Sequence, residues 1–178
     1  MNVLVISVGP SSFSGIITSP STVNQLASGI PQLFHIYPNR LLKCSSKITN
    51  KDNASVVITP FGSVTPQLFA TLPSNPSNIM RSNDGVIVYQ AGAADVNQNI
   101  QYQLKSPNSS IVSVLFHESI NFDTRAVALM SGLPQRDVVL ARTSRYFYFT
   151  VPPGITGDVK FIVESIEVRK FPQFSFLL

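Results

Sequence analysis

Short runs of β-branched and aromatic residues recur along this chain roughly every ten to fifteen residues, with proline, glycine, asparagine or serine between them. Thirteen prolines among 178 residues leave little room for long helices, because proline removes a backbone donor and clashes with the preceding helical turn. This pattern is typical of all-β sandwiches and barrels. The sequence therefore predicts an all-β fold, a two-sheet antiparallel sandwich with one or two short helices.

Twelve segments are predicted to be strands, and this number is too large for one ordinary sheet. They span residues 3–8, 13–18, 32–37, 41–45, 55–59, 67–72, 86–91, 100–105, 111–116, 138–142, 145–151 and 159–168. An Asn-Asp-Gly sequence at residues 83–85 predicts a turn. The segment before it, residues 71–82, contains two prolines and has no periodicity, so it is predicted to be a long connecting loop.

The clearest strand signal is the alternation over residues 145–151, which places Phe147, Phe149 and Val151 on one face. A Pro-Pro-Gly turn follows, and then the longest predicted strand. The two strands are expected to pair antiparallel. Their apolar face, with Phe161 and Val163 from the second strand, is expected to contribute to the core.

Two segments could be helical. Residues 22–29 offer a threonine N-cap and end in glycine, and residues 123–132 begin at Asp123 and end at Gly132. Asp is a preferred N-cap residue and Gly a preferred C-cap residue. Each predicted helix is about two turns long.

Charge is sparse and unevenly distributed. The chain has a net charge of +4, and residues 1–39 and 171–178 contain no Asp, Glu, Lys or Arg. Polar residues and prolines interrupt the first segment, so it is not expected to span a membrane. We predict one domain over residues 1–178, in which residues 1–39 partly serve as an uncharged arm between subunits.

Basic and aromatic side chains form two loose groups that could contact a ligand. Cations of this kind also occur on solvated edge strands, where they block unwanted pairing. An aromatic strand face flanked by arginine can stack bases or sugars, although it can equally be an ordinary sheet face. The candidate residues for nucleic-acid or ligand contact are Arg40, Lys43, Lys47, Lys51, Arg142, Arg145, Tyr146 and Tyr148.

Candidates for catalysis are few. The chain has two histidines, and His117 with Glu118 and Asp123 is the nearest to a catalytic group. Adjacent strand residues point to opposite faces, so His117 and Glu118 are not expected to act together. The only cysteine, Cys44, is expected to be a small buried hydrophobe. We therefore predict no catalytic residues, no metal site and no cofactor.

A proline-rich, weakly charged, helix-poor chain with about a dozen short strands, a long last strand and uncharged arms resembles the jelly-roll coat proteins of small icosahedral viruses. The resemblance covers the overall layout and no specific motif. It implies an eight-stranded double sheet whose edges and termini form contacts in a closed shell. Many such proteins carry an arginine-rich N-terminal arm, whereas this N-terminus is the least charged part of the chain.

The expected function is that of a structural protein, a viral capsid or coat subunit in the virion that assembles with other copies of itself. Other virion proteins and nucleic acid are further candidate partners. The alternative is an extracellular trimeric β-sandwich that binds a receptor or carbohydrate, as fibre heads and tumour-necrosis-factor-like modules do. Two glycosylation sequons, at Asn53 and Asn108, are expected by chance in a chain so rich in serine and asparagine.

Overall fold

A computed structural model of the protein describes residues 22–118, 126–140, 144–151, 153–154, 156 and 158–164. These residues contain no α-helix, and a single 3₁₀ turn lies at Ala93–Asp95. The strands are β1 (Val23–Gln25), β2 (Gln32–Ile36), β3 (Leu41–Lys47), β4 (Asn53–Pro60), β5 (Gln67–Leu72), β6 (Asn75–Ser82), β7 (Val86–Gln90), β8 (Asn99–Lys105), β9 (Ser110–His117), β10 (Val127–Ala128) and β11 (Phe147–Tyr148).

The strands form two main sheets. Sheet A has the order β1-β3-β8-β5-β6, and sheet B has the order β2-β9-β4-β7. All pairs in these sheets are antiparallel except β1 with β3. The chain crosses repeatedly from one sheet to the other, and the predicted two-sheet sandwich is confirmed. The jelly-roll connectivity implied by the resemblance stays a prediction.

The core lies between the inner faces of the two sheets. Alternate residues of the central strands are almost completely buried, so each strand buries one face by its period of two. Three hydrogen-bonded hydroxyl groups cross this interior. The Ser46 hydroxyl lies 2.7 Å from the Tyr102 hydroxyl, which lies 2.8 Å from the Tyr89 hydroxyl. Tyr102 belongs to sheet A and Tyr89 to sheet B, so these hydrogen bonds link the two layers and keep the buried polar atoms paired.

Seven predicted strands are confirmed with small changes at their ends, and they correspond to β2, β3, β4, β5, β7, β8 and β9. The loop predicted over residues 71–82 is wrong, because Asn75–Ser82 forms β6 and pairs with β5. β6 is an edge strand, which is where a sheet tolerates proline. The predicted turn at residues 83–85 is confirmed, with Gly85 at a φ of 80°, and it carries the chain from sheet A to sheet B.

The helix predicted at residues 22–29 is also wrong. Val23–Gln25 is strand β1, and Ser28 forms an isolated bridge to Phe116. Gly29 has a φ of 76°, as a helix C-cap would, but here it lets the chain turn between the sheets. A Cβ at this position would lie 3.2 Å from the Ala126 carbonyl oxygen, so glycine is required by contact as well as by conformation.

Part of the uncharged segment 1–39 lies inside the sandwich. Leu26, Phe34 and Ile36 are core residues, which gives residues 22–39 a reason within their own subunit to lack charge. The predicted strands 3–8 and 13–18 and the terminal segment 171–178 lie outside the described residues.

The predictions for the C-terminal part require correction. Residues 126–132 are not helical and contain β10, while Asp123 lies outside the described residues. Residues 138–140 and 158–164 contain no strand, and only Phe147–Tyr148 of the segment 145–151 is a strand. The five residues expected in the core are not part of it, and four of them are exposed: Phe147, Val151, Phe161 and Val163, with Phe149 half-buried.

Residues 126–140 and 144–148 lie over the outer face of sheet B. The Arg136 backbone N–H donates to the Thr59 hydroxyl at 2.8 Å, and Ala128 N–H donates to the Gly29 carbonyl at 3.0 Å. Val57 and Leu115 are buried on that outer face. Sheet B is therefore covered on both sides, and we call the described residues of 126–164 the covering segment. No helix among the described residues is long and apolar enough to cross a membrane.

Candidate functional surfaces

A buried group of charged and polar side chains joins the covering segment to sheet B. Arg145 Nε lies 2.9 Å from Asp137 Oδ2, and the two side chains are 3% and 4% exposed. The same guanidinium donates to the Val138 carbonyl at 2.9 Å and lies 2.6 Å from Nδ1 of the fully buried His117. An imidazole nitrogen that accepts from a guanidinium carries no proton. The arrangement is a clamp between layers, and its cation is not available to a ligand.

Burial sets the acid–base behaviour of this clamp. Desolvation raises the pKa of Asp137, while the neighbouring Arg145 guanidinium acts to lower it. Ser55 lies opposite His117 in the pairing of β4 with β9, but among the described residues its buried hydroxyl has no hydrogen-bond partner. A serine nucleophile needs a base within hydrogen-bond reach. Ser55 and His117 therefore share one region without the hydrogen bond that a serine–histidine pair requires.

Glu118 has different partners from its neighbour His117. Its carboxylate accepts hydrogen bonds from the backbone N–H groups of Thr49 and Asn50 and from the Thr49 hydroxyl. The expectation that these adjacent residues point apart agrees with this geometry. Glu118 fixes the loop between β3 and β4, and Asp123 lies outside the described residues.

His35 lies at a shallow surface pocket of about 380 Å³. Its Nε2 is 2.6 Å from the Ser109 hydroxyl, and its ring lies 4.3 Å from that of Tyr37. The described residues that line the pocket include no carboxylate, so the imidazole is oriented by a serine hydroxyl and a tyrosine ring. The described residues also contain no cluster of His, Cys, Asp or Glu able to hold a metal.

Cys44 is fully buried, and desolvation raises its pKa to about 12. Because the thiolate is the reactive form, this thiol is unreactive at neutral pH. The expectation of a small buried hydrophobe agrees with its position in the core.

The structure separates the predicted basic residues into different surroundings. Arg40 and Lys51 lie in loops at the two ends of β3, whereas Lys43 and Lys47 lie on β3 itself. Arg145 belongs to the buried clamp, and Arg142 lies outside the described residues. Tyr146 and Tyr148 are exposed.

The outer face of sheet A adds two cations that sequence reasoning missed. The sequence pattern predicts a loop at Arg81 and a strand at Lys105, with no functional role for either residue. Register places Lys43 opposite Gln103, Gln103 opposite Phe69 and Phe69 opposite Arg81. Arg81 lies over the Phe69 ring at 5.7 Å from its centre. The alternation of Gln101, Gln103 and Lys105 was the available signal, but only the order of strands shows which cations share this face.

The end of the covering segment exposes many apolar side chains. Phe149 and Phe161 make an edge-to-face ring contact with centres 6.1 Å apart, so residues 144–151 and 158–164 meet at these two rings. Ile162 is 72% exposed. We call this surface the apolar tract, and its exposed members are Tyr146, Phe147, Tyr148, Val151, Val159, Phe161, Ile162 and Val163.

Comparison with known proteins gives little. No family model matches the chain, and no curated protein matches it. Among solved structures, it is similar to the pre-peptidase C-terminal domain of collagenase from Bacillus anthracis, with 10% sequence identity and a TM-score of 0.45. The match covers 56% of this chain and 98% of that one. A likeness of this degree assigns neither a family nor a function.

Proposed function

We propose that the protein is a self-associating structural subunit, most concretely a coat protein of a virus particle, whose main partners are other copies of itself. The observation that carries this proposal is the apolar tract. Contiguous exposed apolar surface on a folded chain usually marks an interaction site. Eight large apolar side chains of the tract are exposed on two adjacent stretches of chain.

A second copy is the occupant that the charge distribution favours. Only 12% of the residues are charged, and the net charge is +4, so two copies repel each other weakly. Charged residues of both signs lie within the tract and at its end, with Lys160 between Val159 and Phe161 and Glu164 after Val163. Such mixed charges can pair across a symmetric interface, where each copy presents the same surface.

A closed assembly larger than a dimer needs a second contact, because an interface in which each copy presents the same surface joins only two copies. An interface between two different surfaces continues from copy to copy until the assembly closes into a ring or shell, or grows into a filament. In the coat-protein proposal the uncharged residues 1–21 and 171–178 add apolar contacts between copies. Those residues lie outside the described part of the chain.

The test is the mass of the full chain in solution, measured by light scattering and by electron microscopy of single particles. Ile162→Lys places a charge at the most exposed point of the tract and is expected to reduce the assembly to monomers. Ile111→Lys is the matched control, because Ile111 is 55% exposed on β9 and is not a member of the tract. A monomeric wild-type protein, or an Ile162→Lys assembly of unchanged mass, would overturn the proposal.

A trimeric module that binds a receptor or carbohydrate is the second candidate. The outer face of sheet A favours it, because amide and cationic side chains are exposed there on a regular surface. The same measurement separates the two candidates: a mass of three subunits supports the module, and a closed ring or shell supports the coat protein.

A further inference from the structure

The outer face of sheet A is unusual in its charge. The five strands of this sheet contain four cations and no Asp or Glu. Alternation along each strand directs all four outward, since the residues beside them are buried in the core. We call this surface the cationic face, and its charged members are Lys43, Lys47, Arg81 and Lys105.

The cations are spread across the sheet and along it. Lys43 and Arg81 lie in one register row, three strand spacings apart, which is about 14 Å of backbone separation. Lys105 lies on β8, two residues beyond the partner of Lys43, and this displacement along the strand is about 7 Å. Charges spaced in this way suit an extended ligand with repeated anionic groups better than one small anion.

Amide side chains fill the space between the cations. Gln25, Gln101 and Gln103 are exposed on the same outward positions, and Gln67 is half-buried. An amide both donates and accepts hydrogen bonds, which matches the hydroxyl groups of sugars. The chemistry of the face is therefore cationic with neutral hydrogen-bonding groups between the charges.

Exposed aromatic rings distinguish a surface that binds nucleic acid from one that binds an anionic polysaccharide, the two main classes of linear polyanion. Proteins that bind single-stranded nucleic acid stack successive bases on exposed aromatic rings. Phe69 is the one aromatic residue that points outward from the five strands, and the Arg81 guanidinium already lies over its ring. The face thus lacks an open stacking platform.

We propose that the cationic face binds a linear anionic polysaccharide, with Lys43, Arg81 and Lys105 contacting sulfate or carboxylate groups and the glutamine amides contacting sugar hydroxyls. The surface is separate from the apolar tract, so binding does not depend on self-association. Assembly would raise the apparent affinity through multivalency alone.

The experiment measures binding of fluorescent heparin oligosaccharide to the full chain by anisotropy over a series of salt concentrations. Neutral dextran and poly-dT of similar length serve as comparison ligands. We expect heparin to bind, dextran not to bind, and poly-dT to bind at least fivefold more weakly than heparin. Heparin affinity is expected to fall with salt, because bound cations displace counterions from the polyanion.

Lys43→Gln with Lys105→Gln is expected to reduce heparin affinity at least tenfold and to reduce its salt dependence. Arg40→Gln with Lys51→Gln removes the same charge from loops outside the face, and a change below twofold is expected. Circular dichroism is used to check that each variant is folded. The substituted side chains are exposed, except that of Lys43, which is half-buried. Gln101→Ala with Gln103→Ala is expected to weaken binding with an unchanged salt dependence.

An equal loss of heparin affinity in Lys43→Gln with Lys105→Gln and in Arg40→Gln with Lys51→Gln would show that net charge alone attracts heparin. That result would overturn the proposal. Absence of heparin binding, or poly-dT binding as tight as heparin, would overturn it as well. All measurements are repeated on proteins that also carry the Ile162→Lys substitution. Retention of heparin binding by that monomeric variant supports an independent site, and its loss would show that the face acts only within an assembly.

Discussion

The sandwich of residues 22–118 and the covering segment of residues 126–164 are both rich in apolar residues, but they bury those residues very differently. Phe116 on β9 is 1% exposed, whereas Phe161 in the covering segment is 40% exposed. The difference shows that apolar alternation predicts the ability to form a strand, while burial depends on partners elsewhere in the chain.

Partner strands explain the contrast. β9 pairs with β2 on one side and β4 on the other over most of its length, and its outer face is covered. Among the described residues, β11 pairs with β10 alone, over two residues. Because ladder hydrogen bonds and facing side chains come from neighbouring strands, the alternating segment 145–151 joins neither main sheet and is not part of the core.

The largest expected effect on stability comes from truncating one phenylalanine side chain to alanine in each of the two regions. Phe116→Ala should lower the free energy of unfolding by about 3–5 kcal/mol, since it removes a buried ring from the core. Phe161→Ala should change it by less than about 0.5 kcal/mol, as expected for an exposed side chain. Urea unfolding measures both free energies. A large loss in Phe161→Ala would show that the covering segment packs as tightly as the core and would contradict this prediction.

The buried clamp should give a smaller effect that is local to the covering segment. Asp137→Ala removes both carboxyl oxygens next to the buried Arg145 cation, whereas a protonated Asp137 still offers its carbonyl oxygen to the guanidinium. Removing one partner of a buried ion pair costs about 3 kcal/mol. We expect faster amide hydrogen exchange in residues 126–148 and little change in sheet A, as measured by mass spectrometry.

Asp158→Ala is the matched control for the clamp, because Asp158 is an exposed carboxylate in the same segment. Its exchange pattern should equal that of the wild-type protein. Uniform acceleration across both sheets in Asp137→Ala would show instead that the sandwich and the covering segment unfold as one unit.

The smallest expected effect is a difference in pH dependence between two aspartates. Burial raises the pKa of Asp137 above 3.8, so its contribution to stability is full below 3.8 and is lost as pH rises through the raised value. Desolvation also acts to raise the pKa of Asp95, but hydrogen bonds from Ser74 and the Gly92 N–H outweigh it and leave the pKa below 3.8. Its contribution is therefore full above 3.8 and is lost as pH falls through the lowered value.

Hydrogen exchange over roughly pH 3 to 7, corrected for intrinsic rates, should reveal these opposite slopes. Protection of the covering segment should fall as pH rises above 3.8, and protection near the 3₁₀ turn at Ala93–Asp95 should fall as pH drops below 3.8. Parallel pH profiles in the two regions would contradict this assignment.

Local pattern was sufficient for the central strands of the sandwich. Runs such as Gln67–Leu72 were predicted with their observed bounds, because dense β-branched and aromatic residues between turn signals leave few other structures. Local pattern did not predict the edge strand β6. β6 carries Pro76 and exposed polar residues, and only its pairing with β5 makes it a strand. Sequence reasoning placed Lys43 and Lys47 in a candidate site, but it did not place Arg81 or Lys105 beside them.

The sequence by itself determined the all-β class, the two-sheet sandwich and the positions of most central strands, since these depend on side-chain period, turn residues and the exclusion of helices by proline. Only the tertiary structure decided that Gly29 turns between sheets, that residues 126–140 and 144–148 cover sheet B, and that four cations share one face. These features join residues far apart in the chain. No local pattern specifies such pairings, because their free energy exists only once the distant partner is in place.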